Sequence, residues 1–108
     1  MGAIKVKVIT PPAPGVPKSS HYEFIDNSPE GIRKAVRGDY VEYHMGGNAE
    51  WVAFYNPAAE NEFKRPTHRF WDTEMHGRIV IAGWDGNVRE LAYQVERYIR
   101  DSYEGIFG

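Results

Sequence analysis

The sequence changes period once, sharply, and that change sets its fold class. Arg78-Ile79-Val80-Ile81-Ala82 is a short apolar run rich in β-branched residues, suited to a buried strand. Gly83-Trp84-Asp85-Gly86 interrupts it. From Val88 onward apolar residues recur at three- and four-residue steps, through Leu91, Ala92, Val95, Tyr98 and Ile99. That spacing predicts one apolar face of a long C-terminal helix. Asn87 is placed to cap it, Glu90 to complete a capping box, Glu96 and Arg100 to form an i,i+4 ion pair, and Gly105 to stop it. The upstream chain is then expected to supply the sheet this helix covers.

Upstream, Ala3 to Ile9 alternates, with Ile4, Val6 and Val8 on one face and Lys5 and Lys7 on the other. Outward lysines would guard a sheet edge. The segment 10–20 holds Pro11, Pro12, Pro14 and Pro17, so it is expected to be a stiff polyproline-like connector, or an arm that docks on a partner. A second strand is expected over His21–Ile25. A short helix follows, capped at Asn27-Ser28 with Pro29 in its first turn, with Ile32, Ala35 and Val36 as its stripe and Gly38 as its end. Tyr40–Met45 and Glu50–Tyr55 read as strands joined by a Gly46-Gly47-Asn48-Ala49 hairpin connection. Asn56–Pro66 is a loop with a helical turn in it, and Thr67–Thr73 a further strand that Met75-His76-Gly77 turns into the run at Ile79.

The expected architecture is therefore α+β. A mostly antiparallel sheet of five to six strands, in the order β-β-α-β-β-β-β-α, is packed by a long C-terminal helix and one short helix. Both helices are expected on one side. The 108 residues form a single domain. No run approaches membrane-spanning length, and the chain has no cysteine, which removes disulfide and thiolate–zinc scaffolds and favours a cytoplasmic setting. A net charge of -2 argues against bulk nucleic-acid binding.

No cofactor motif is present, and no catalytic one: Gly83–Asn87 matches neither phosphate-loop pattern, and no serine sits in a nucleophile elbow. Three functional readings follow. The first is a non-enzymatic binding protein that occupies a protein partner, of an inhibitor, immunity or accessory type, a phage-encoded one included. Aromatic residues make up 14% of the chain. On the hairpin strands Tyr40, Tyr43, Trp51 and Tyr55 leave both faces with large groups, which suits an interface or homodimerisation. The second is a binder of a small anionic, nucleotide-like ligand through the basic-aromatic segment 63–71, with Lys64, Arg65, His68, Arg69 and Trp71 supplying charge and stacking. The third is a small metal-dependent hydrolase drawing on His44, Asp72 and His76, residues whose strand-and-turn setting gives no helical convergence.

Overall fold

A computed structural model describes residues 2–44, 50–70 and 72–108. The hairpin connection expected at 46–49, and Trp71, lie outside the described residues. The elements are β1 (Ala3–Thr10), β2 (Ser19–Asp26), α1 (Pro29–Val36), β3 (Val41–Tyr43), β4 (Trp51–Tyr55), a 3₁₀ turn (Pro57–Asn61), β5 (His68–Phe70), β6 (Thr73–Met75), β7 (Ile79–Trp84), β8 (Val88–Arg89) and α2 (Tyr93–Ser102). Six strands form one antiparallel sheet in the order β2-β1-β7-β4-β3, with β8 paired to β7. β5 and β6 make a separate two-stranded hairpin. The α+β fold expected from the sequence is present. Among the described residues no helix is long and apolar enough to cross a membrane.

The two helices cover opposite faces rather than one. Val6, Val8, Val52, Phe54, Val80 and Ala82 turn one face of the sheet to Ile32, Ala35 and Val36 of α1. The intervening residues Ile9, Trp51, Ala53, Ile79 and Ile81 turn the other face to Ile99 of α2, to Phe70 and Met75 of the small hairpin, and to Leu91 and Ile106. The central strands β1, β4 and β7 thus bury both of their faces, which explains why β7 reads as a continuous apolar run. α1 starts as its sequence predicts: Ser28 Oγ accepts from Gly31 N at 3.1 Å, and Glu30 lies in the first turn. Gly31 lets this turn rest on β2, since a Cβ there would stand 2.1 Å from Asp26 O.

Three expectations are corrected. The proline-rich segment is the tip of a β1–β2 hairpin, closed by a two-way backbone bridge between Ala13 and Val16 around Pro14-Gly15. Pro at the second and Gly at the third position of a tight turn explain how four prolines fit there. Lys7 guards no edge: β1 lies between β2 and β7, and Lys7 is buried against α2. The C-terminal helix is ten residues long and begins at Tyr93, not at Val88. Val88 and Arg89 pair instead with Trp84 and Gly83, and Leu91 N donates to Lys5 O at 3.0 Å. Asn87 and Glu90 therefore cap no helix. Asp85 Oδ1 accepts the Asn87 amide at 3.3 Å within the turn, and Glu90 accepts the Lys5 amide at 3.0 Å. The expected Glu96–Arg100 pair is present at 2.9 Å.

Candidate functional site

The segment 63–71 does not gather its charges. Lys64 and Arg65 are exposed in the loop before β5. The alternation of β5 then sends its neighbours to opposite sides. Arg69 points outward and pairs with Glu74 across the hairpin. His68 points inward beside Phe70, ring centroids 4.8 Å apart, and its Nδ1 accepts from Lys18 Nζ at 3.1 Å. Burial and the Lys18 charge push His68 down to about 4, which keeps the imidazole neutral near pH 7.

The metal candidates also stay apart. His44 contacts Glu42 at 3.0 Å and lies edge-on to Trp84. Asp72 accepts from Tyr43 Oη at 2.6 Å, and His76 Nδ1 donates to Phe63 O at 2.6 Å. Among the described residues no three His, Cys, Asp or Glu side chains group as a metal site.

The aromatic residues of the hairpin strands serve the protein's own interior. Trp51 is 1% exposed. It sits edge-on to Tyr103 and within 6.1 Å of the Phe70 ring centre. Tyr43 stacks on Phe70 at 4.9 Å. Burial and the bond to Asp72 push its hydroxyl well above the usual phenol range. Tyr55 is half-buried in the same cluster, while Tyr40 stands edge-on to Phe54 on the α1 side. The surface expected at Tyr40, Tyr43, Trp51 and Tyr55 is thus divided between two internal cores, because α2 and the β5–β6 hairpin cover the second face.

Exposed apolar surface collects elsewhere, on β2. Asn27 N donates to Gly2 O at 3.0 Å, which fixes the residue pair 2/27 as hydrogen-bonded. Bonded and non-bonded pairs alternate along an antiparallel ladder. With Lys5 opposite Phe24 and Lys7 opposite Tyr22, these two β2 residues occupy non-bonded pairs. The bond from Leu91 N to Lys5 O agrees, since it shows the Lys5 backbone facing away from β2. The amides and carbonyls of Tyr22 and Phe24 accordingly point off the open edge of the sheet, where no further described strand pairs. Their side chains share the α2 face and are 44% and 70% exposed.

Two charged groups border this aromatic step. Lys5 Nζ lies 4.9 Å from the centre of the Tyr22 ring. Arg100 reaches the same place through Glu96, whose carboxylate accepts from Tyr22 Oη, from Lys7 Nζ at 3.0 Å and from Arg100 at 2.9 Å. Burial works to raise the Glu96 carboxyl, but the bonds from Tyr22 and Lys7 prevail and hold it below its ordinary value. On the α1 side of the edge lies a cleft of about 590 Å³, floored by Ile25, Gly31 and Ala35. Glu23 is fixed at its margin by Arg78 at 2.8 Å and His21 at 2.6 Å.

Sequence reasoning placed a strand at His21–Ile25 and missed this edge. The available signal was the alternation of Tyr22 and Phe24 with Glu23 and Ile25, but edge position depends on strand order, which no local pattern encodes. No protein-family model, no curated protein and no solved structure matches this chain.

Proposed function

We propose that this is a non-enzymatic binding protein that acts by occupying a protein partner, and that the partner docks on β2 as an added strand. One observation carries the reading. β2 is an eight-residue edge strand whose outward backbone groups flank Phe24, an aromatic side chain left 70% exposed. Long edges of this kind template pairing and are normally blunted by shortening, proline or charge. The opposite edge, β3, has three residues. An extended segment pairing at Tyr22 and Phe24 gains main-chain hydrogen bonds, and alternate side chains of that segment cover the two rings. Lys5 and Arg100 beside Tyr22 favour a segment with an acidic residue at that register. An inhibitor, immunity or accessory role in the cytoplasm suits this mode and a chain without cysteine.

Phe24→Pro tests the reading. Proline is tolerated on an edge strand whose N–H faces solvent, so the variant should still fold. The variant should lose the partner complex that native mass spectrometry finds on gently purified wild-type protein, while Tyr98→Ala, at an exposed aromatic on the far side of α2, keeps it. If the complex proves to be a homodimer, the added strand is β2 of a second copy. A folded Phe24→Pro protein that retains its partner, or a wild-type protein that is a bare monomer in its own cells, removes the reading.

A further inference from the structure

The cleft at the C-terminal end of α1 adjoins the one beside β2, sharing Arg37 and Arg78 with it, and has the build of a small-ligand site. It encloses about 360 Å³, at the lower end of the range that small-molecule sites occupy. Its apolar wall is made of Pro11 just after β1, Val36 from α1, and Ala58, Ala59 and Phe63 from the 3₁₀ turn and its exit, with Thr10, Asn56 and Glu62 as polar neighbours. These walls are pinned from behind. Asn56 Oδ1 accepts the Ala58 amide at 3.0 Å, Phe63 N donates to Ala59 O at 2.8 Å, and His76 holds Phe63 O at 2.6 Å. Gly77, at φ 75°, lies so close under the turn that a Cβ there would stand 2.7 Å from the Ala59 Cβ.

Two arginines line this space, and their situations differ. Arg78 is committed: its Nε donates to Ala35 O at 2.6 Å and its Nη2 to Glu23 at 2.8 Å. Arg37 is exposed and makes no ion pair among the described residues. Its backbone is left-handed, φ 63° and ψ 52°, and it is the one non-glycine described residue with positive φ. For an L side chain this conformation costs about 1–2 kcal/mol, and glycine is the usual occupant of such a helix end. The sequence has its glycine one place later, at Gly38. A strained residue on the lining of a largely apolar cleft, carrying a cation with no ion pair among the described residues, points to a ligand.

We propose that this cleft binds a small monocarboxylate with an apolar body, its carboxylate on Arg37 and its body between Val36, Ala59 and Phe63. A single negative charge matches the single free guanidinium. Glu62 on the lining and the carbonyl end of α1 oppose any anion and a doubly charged one such as phosphate most, so the single charge is the one Arg37 can offset.

The test is an amide-shift titration of the labelled protein with hexanoate and benzoate, and with hexanol and benzyl alcohol as uncharged counterparts. The carboxylates should give saturable shifts confined to the amides of Val36, Ala58, Ala59 and Gly77, with the alcohols weaker by a factor on the order of ten or more. Arg37→Gln should lose that factor at unchanged melting temperature. Arg37→Gly should lose it while melting several degrees higher, because the strain is relieved. Phe24→Pro should bind as the wild type does, which separates this site from the edge of β2. Equal affinity for acid and alcohol, shifts scattered elsewhere or absent, or carboxylate binding undiminished in both Arg37 variants would each overturn the assignment.

Discussion

The α1 face of the sheet and its α2 face take alternate residues from the same strands, yet they are built from different materials. Toward α1 the strands present Val6, Val8, Val52, Val80 and Ala82 around Phe54, and the helix answers with Ile32, Ala35 and Val36. Toward α2 they present Trp51 and the isoleucines, joined by Phe70, Tyr43 and Tyr103, and at the β2 end the apolar packing gives way to Lys7 and Glu96. The side chains of that pair are 10% and 2% exposed. Phe107 completes the enclosure, its ring 5.3 Å from Lys7 Nζ and its carbonyl accepting from Ser20 Oγ at 2.8 Å. The α1 face is filled mainly by shape, with charge entering at its margin where Arg78 joins Ala35 O to Glu23. The other also requires a matched set of charges, and the same set positions Tyr22 at the exposed edge.

The largest test of that contrast is to break the ion pair on one side only. Glu96→Ala leaves Lys7 buried without its counter-charge and should cost about 3–5 kcal/mol in urea unfolding. Replacing both, as Lys7→Met with Glu96→Leu, should recover most of the loss, because two apolar side chains of similar size incur no desolvation penalty. A single variant that loses under about 1 kcal/mol would show that the charges are not what organises this face.

On the α1 face the corresponding vulnerability is contact distance. Ala normally stabilises a helix over Gly by about 1 kcal/mol. At Gly31 the sign should reverse, since the added carbon would meet the Asp26 carbonyl at 2.1 Å, and overpacking of this sort costs about 1–3 kcal/mol. An unchanged or higher melting temperature for Gly31→Ala would mean that α1 can lift from β2 freely.

These two faces also mark how far the sequence could be read. Period-two alternation in β1 and β4 and the Ser28-Pro29 start of α1 are local, and each appears where its residues predict. Lys7 carries no local sign of burial; its partner is 89 positions away, and alternation distinguishes faces without saying which face is wet. Val88 and Leu91 fit a helical period by coincidence, because an extended stretch crossing from β7 toward β1 buries them on opposite sides. His68 and Arg69 are adjacent in the most basic stretch, and the strand they share is what separates them. The open edge at Phe24 and the cleft at Arg37 are products of strand order and of close approach between distant segments.

A pH profile separates two groups on the α2 side. His68, behind the α2-side aromatic cluster, titrates near 4 when folded and near 6.5 when free, so in that interval the unfolded chain binds the extra proton. Its stabilisation is complete above pH 6.5 and is lost as the pH falls toward 4, with a slope of at most about 1.4 kcal/mol per pH unit. Glu96 acts lower: its folded value lies below 4.5, so its share is present above that pH and disappears on further acidification. His68→Gln should therefore flatten the stability profile between pH 6.5 and 4.5 and leave the acid limb in place. A wild-type protein already flat across that interval would place His68 in contact with water.

The smallest effect expected is at Arg69, the residue whose surroundings are most charged in sequence. Its side chain and that of Glu74 are 66% and 43% exposed, and such cross-strand pairs are worth about 0–1 kcal/mol and are screened by salt. Arg69→Ala should lower stability by less than about 1 kcal/mol, by less still in high salt, and should leave both the Phe24-dependent complex and carboxylate binding intact. A larger loss that persists in high salt would mean that the β5–β6 hairpin braces the α2 face through Arg69 as well as through Phe70 and Met75. The division between a face held mainly by shape and a face held by charge would then extend to the outer surface of the hairpin.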